Sequence, residues 1–214
     1  MSFFLLWLSV ALDLGVLAGL VVRRRVAEAY TLPVLLLALA ATATTVGLCL
    51  ACNTWDFALT KELIHAVLFL LLGLELAWRL FPGLPVARRT AQLWFVLMLV
   101  AMLVWLLTAP AGPRMIQTLP RIIGTGACLY MGLTVLMHLF RVDIGPLRNA
   151  LLSALSPYAI LYAVTWHYHG QDASVANVVN PLAFDIAMAL VLRAAWQREQ
   201  HTSVPLVLTR LIGA

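Results

Sequence analysis

Three carboxylates stand inside otherwise apolar stretches of the chain: Asp13, Glu75 and Asp185. In hydrocarbon a charged side chain costs about 2.5–3.5 kcal/mol on insertion scales, so such a group faces the interior of a bundle, pairs, or is protonated. Asp13 and Asp185 fall near the middle of the first and last apolar runs, at similar depth, where a polar contact or a shared proton between them is expected. Glu75 has Arg79 one helical turn away, and His138 falls at a similar depth two runs later. Asp13, Glu75, Arg79, His138 and Asp185 are therefore the candidate intramembrane polar or ligand site. The competing expectation is that they form interhelical hydrogen bonds that only fix packing.

Imidazoles are the other chemistry-bearing group. His65, His167 and His169 all lie toward one end of their runs and are the candidate ligands for a metal or haem, since imidazole suits zinc, copper and iron. No HxxxH or HExxH spacing supports such a site, so no cofactor is expected. His138 is read as an end-of-helix polar residue, and His201 has no assigned role. Cys49 and Cys52 form a C-x-x-C without the second pair that a zinc site would show. They are read, with Cys128, as small core residues; an extracytoplasmic disulfide or thiol site is the alternative. No phosphate-binding glycine loop, nucleophile elbow or aspartate-rich metal loop occurs. No catalytic residue is assigned, and an enzyme is disfavoured.

The elements that hold these residues follow from composition. Of 214 residues 63% are hydrophobic and 11% charged, against about half and about a quarter in soluble domains. Lipid must form part of the solvent. Seven runs are long enough for a hydrocarbon core of about 30 Å, which takes about 20 residues. They cover 3–22, 32–51, 62–81, 91–108, 121–140, 147–166 and 178–196. The fold class is all-α: a polytopic bundle of seven transmembrane helices over 1–197, then a short cytoplasmic tail over 198–214, too short for an output domain. The first run lacks a basic leader, and Arg23, Arg24 and Arg25 follow it, as in a retained helix rather than a signal peptide.

Charge orients the bundle. Lys61 is the only lysine; the other thirteen basic residues are arginines. Segments after runs one, three, five and seven hold Arg23, Arg24, Arg25, Arg79, Arg88, Arg89, Arg141, Arg148, Arg193, Arg198 and Arg210. The opposite side holds Lys61, Arg114 and Arg121. Cytoplasmic loops carry the Lys/Arg excess, so eleven against three places the N-terminus outside and the C-terminus in the cytoplasm. Trp7, Trp55, Trp105, Trp166 and Tyr168 at outer ends, with Tyr30, Trp78, Trp94 and Trp196 at inner ends, suit interfacial anchors. The net charge of +5 is thus a topological signal, and no nucleic-acid partner is expected. Close helix packing is expected at Gly15-x-x-x-Gly19 and at the glycines of run five. Pro157 is expected to kink run six, and Pro181 to sit near the start of run seven. No internal repeat is found.

The stretch from Lys61 to Arg89 resembles a pattern in uncharacterised bacterial seven-helix membrane proteins, and is similar to the N-terminal seven-helix sensor region of some histidine kinases. Glu75, Trp78, Arg79, Phe81, Pro82 and Gly83, followed by Arg88 and Arg89, carry the resemblance. It implies a multi-pass protein of the bacterial inner membrane that senses a ligand, here without a catalytic region. The functional expectation is a non-enzymatic, stand-alone sensor or receptor-like module signalling through another membrane or cytoplasmic protein. The alternatives are a structural subunit or scaffold of a larger membrane complex, or a small proton-coupled transporter. A rhodopsin is disfavoured, because the last run has no lysine for a Schiff base.

Overall fold

The computed structural model describes residues 3–49, 55–81, 84–108, 114–142, 144–168 and 173–197. They form seven helices: α1 (Phe3–Val22), α2 (Thr31–Leu48), α3 (Trp55–Arg79), α4 (Pro85–Leu107), α5 (Arg114–Leu139), α6 (Pro146–Tyr168) and α7 (Ala173–Trp196). A short 3-10 turn, Val26–Glu28, links α1 to α2. Among the described residues there is no strand.

Each helix is built on one of the apolar runs, but several begin earlier than hydropathy alone indicates. Pro85 opens α4 and carries it through Arg88 and Arg89; proline is well suited to a first turn, where its missing N–H is not needed. α7 starts at Ala173, which leaves Pro181 inside the helix rather than near its start. The apolar window measures the hydrocarbon-facing part, whereas the helix continues into its polar ends.

Five helices, α1, α2, α4, α5 and α7, are long and apolar enough to cross a membrane. Large apolar side chains point outward on all seven, among them Leu14, Val34, Ile64, Leu93, Val135, Ile160 and Ile186. Water would not tolerate so continuous an apolar exterior. The chain is a multi-pass membrane protein.

Six helices close a ring in the order α1, α2, α3, α5, α6, α7, with α7 returning to α1, while α4 packs outside it against α5 and α3. The core is rich in leucines (Leu20, Leu36, Leu76, Leu133 and Leu151 among them), with Tyr130 and Phe81 its largest fully buried side chains. Small residues set the spacing of α1 and α7. A Cβ at Gly15 would lie 3.1 Å from Leu192 Cδ1, and one at Gly19 2.8 Å from Trp196 Nε1 and 3.1 Å from Ala195 Cβ. Trp196 Nε1 in turn donates to Gly15 O at 3.1 Å.

Candidate functional site

Polar side chains gather in two places. The first is one end of the ring, around the turn between α1 and α2. Helix α1 closes with Arg25 N donating to Leu20 O at 2.8 Å and Arg24 in the left-handed region at φ 55°, the geometry of a Schellman cap. That cap turns Arg25 back under the bundle, where it is 3% exposed. Its guanidinium donates to Ala194 O at 3.0 Å and Gln197 O at 2.7 Å, so it caps the C-terminal end of α7, where carbonyls run out of helical partners. Glu28 lies 3.7 Å from the same guanidinium.

Glu75 belongs to this end. Its carboxylate accepts from Tyr30 N at 2.7 Å and Thr31 N at 2.8 Å, the first amides of α2. A negative charge there is favoured by the unpaired N–H groups and the helix dipole. Arg79 sits 3.3 Å from Glu75, donates to Ala27 O at 2.8 Å and stacks 4.3 Å over the Tyr30 ring. Arg148 reaches in from α6, 3.3 Å from Glu28 O. His138 lies apart: its Nδ1–H donates to Thr134 O on its own helix at 2.8 Å, in an exposed position.

The second place is the interface of α1 and α7, above the two close glycines. Ser9, Asp13, Val16 and Leu20 share the buried face of α1, and Asp185, Met188, Val191 and Ala195 that of α7; both sets follow helical spacing. Asp13 is 1% exposed and Asp185 4%. Ser9 Oγ donates to Asp185 Oδ1 at 2.6 Å, and the two carboxyls interact electrostatically. Yet Asp13 Oδ1 and Asp185 Oδ2 have no hydrogen-bond partner; among the described residues the only other buried polar atom so placed is Trp94 Nε1. No ion pair reaches either aspartate among the described residues.

From this pair a polar and aromatic path continues through the ring. Tyr158 on α6 feels the charge of Asp13 and of Glu62, and its ring packs against Phe69, Tyr162 and Phe184. Tyr162 donates to Glu62 Oε2 at 2.6 Å, with Lys61 3.8 Å from the same carboxylate. Thr165 donates to Asn180 Oδ1. Nearby on α3, His65 Nε2 lies 3.2 Å from Thr42 Oγ1.

The expected five-residue site is therefore divided. Asp13 and Asp185 stand together; Glu75 and Arg79 stand together at the cap of α2; His138 joins neither. Among the described residues no three of His, Cys, Asp and Glu are grouped to hold a metal. His169, the side chain of His167, Cys52, Pro82, Gly83 and residues 198–214 lie outside the described residues. Cys49 is disulfide-bonded and is not the free core thiol expected; Cys128 is free and exposed. Ser9, Arg25, Glu62, Tyr158 and Tyr162 are additions. A serine one turn before Asp13 was the one visible signal, whereas Arg25 reads in sequence only as part of a topogenic cluster.

Comparison with protein-family models, with curated proteins and with solved structures returns no match. Function rests on the geometry.

Proposed function

We propose that this chain is a non-enzymatic, receptor-like membrane module that binds a small ligand between α1 and α7 and passes a shift of α7 to a partner protein. The observation that carries it is the pair of buried aspartates, each with one oxygen left unpaired. A buried acceptor without a partner costs about 1–3 kcal/mol, and more when charged. Two on facing helices are best explained by a guest that satisfies both.

Seven spans, with the N-terminus outside, are part of the same proposal. α3 and α6 carry polar residues within their lengths, and several of these are used inside the bundle. Glu62 meets Tyr162, Glu75 caps α2, and Arg148 reaches the α1–α2 turn. Internal partners of this kind are what allow polar residues at membrane depth. The eleven-to-three excess of basic residues supports a cytoplasmic arginine-rich end, in a bacterial inner membrane as the sensor resemblance implies. Cys49, at the end of α2 away from Arg25 and Glu75, is disulfide-bonded, and such bonds persist on the oxidising side of a membrane.

Arg25 offers the route of output. It ties the turn after α1 to the last carbonyls of α7, so a ligand that alters the spacing of α1 and α7 also loads this cap. The buried carboxylates equally favour a proton-coupled carrier as a second function; absence of pH-linked flux in proteoliposomes removes it.

Native mass spectrometry of the protein released from native-lipid particles tests the ligand site. A small molecule bound to wild type and lost from the Asp13→Asn/Asp185→Asn double variant is expected. The same bound species in both proteins overturns the assignment.

A further inference from the structure

We infer that the Asp13 and Asp185 carboxylates together take a single positive charge from outside the protein, an inorganic monovalent cation or the ammonium group of a small amine, and that a proton replaces it otherwise. This deepens the ligand role proposed above and rests on it.

Charge balance comes first. α1 brings Asp13 and α7 brings Asp185. The neighbouring α2, over Thr31–Leu48, has no titratable side chain. From α6 come Tyr158 and Tyr162, neither of them cationic, and the charges that act on Tyr158 are the acids Glu62 on α3 and Asp13. Lys61 is 3.8 Å from Glu62 and so engaged there. Two buried carboxylates side by side cannot both remain ionised without compensation. Among the described residues no ion pair reaches Asp13 or Asp185, so the positive charge is imported.

Hydrogen bonding then argues against a proton shared directly between the two carboxyls as the whole answer. Such a shared proton would use one oxygen of each carboxyl and still leave the other two, Asp13 Oδ1 and Asp185 Oδ2, without a partner. Ser9 has one hydroxyl proton and two acceptors within reach, Asp185 Oδ1 at 2.6 Å and Leu5 O at 3.0 Å. With Asp185 protonated, Asp185 donates to Ser9 and Ser9 to Leu5. With Asp185 ionised, Ser9 donates to Asp185 and Oδ2 is free to bind a cation. The serine can serve either state without moving.

Coordination number sets the charge class. Two carboxylates and one hydroxyl fall short of the six to eight oxygens of calcium and of the octahedron of magnesium. A sodium ion, which tolerates fewer protein oxygens, or an ammonium group, which needs two or three acceptors, fits what is there. The exchange balances as one cation in and one proton out.

The test uses the full chain in mild detergent. Its unfolding temperature is measured at equal ionic strength in N-methylglucamine chloride, sodium chloride and methylammonium chloride. A rise of roughly 5–10 °C is expected at a cation concentration a hundredfold above Kd, and it should be absent from Asp13→Asn and Asp185→Asn. A rise in sodium alone identifies an inorganic cation site, and one in methylammonium alone an amine site. Because the proton competes, the apparent affinity should fall about tenfold per unit of pH lowered on the acid side. Should either variant fail to fold, wild type in weak buffer gives a second readout: about one proton released per protein on adding the effective cation. Equal unfolding temperatures in all three salts, a rise that survives both substitutions, or no proton release overturns the inference. A neutral molecule seen by mass spectrometry and lost from the double variant would leave the receptor function standing while the cation site fell.

Discussion

The two polar clusters of this bundle are both built around carboxylates and differ in completeness. Around the α1–α2 turn, Glu75, Arg79 and Arg25 meet backbone amides, carbonyls or opposite charge at 2.7–3.3 Å. At the α1–α7 interface, two aspartates that are more deeply buried than Glu75 have one serine bond between them, Ser9 to Asp185, and leave Asp13 Oδ1 and Asp185 Oδ2 unpaired. A polar group buried with its partners holds an architecture together; one buried without them needs a reason outside the fold. The first cluster fastens helix ends, and the second is kept open.

The largest effect that would sharpen this contrast is expected at Arg25. Arg25→Ala removes two charge-assisted bonds to the end of α7 and should cost about 3 kcal/mol, read as a lowered unfolding temperature in detergent. Next comes the spacing of α1 and α7. Gly19→Leu should cost roughly 2 kcal/mol by overpacking against Trp196 and Ala195, and it should also weaken ligand binding at Asp13, although residue 19 lies well along the helix from it. A smaller loss, about 1 kcal/mol, is expected for Tyr162→Phe, which removes the bond to Glu62; loss of ligand affinity without loss of stability would instead move Tyr162 into the open site. His138→Ala should fall within about 0.5 kcal/mol in the same unfolding assay, as for other exposed sites.

Much of the fold was legible, because a lipid-facing helix is announced by a long apolar run, and seven runs became seven helices. The ends were less legible: α4 reaches back through Arg89 and Arg88 to Pro85, since helical hydrogen bonding does not stop where hydropathy does. Site residues divide in the same way. Asp13 and Asp185 stand out as charges in apolar surroundings, and helices at the two ends of a closed ring are natural neighbours. The partners of Glu75 were hidden because they are backbone amides of Tyr30 and Thr31, which no side-chain pattern reveals. Arg25 was hidden for another reason: one of three consecutive arginines is singled out by the turn that α1 makes at Arg24, not by its own identity. Tyr158 and Tyr162 sit among apolar residues on α6 and gain meaning only once α3 lies opposite.

The claim that one cluster is complete and the other open is tested most directly by thermal unfolding of Glu75→Gln and Asp13→Asn in parallel, in detergent and without added cation. The amide of Glu75→Gln offers one acceptor for two α2 amides, so its unfolding temperature should fall by several degrees, from a loss of about 1–2 kcal/mol. Asp13→Asn removes an uncompensated acid and should unfold at or above the temperature of wild type. Equal losses in the two variants, or a loss confined to Asp13→Asn, would contradict the account.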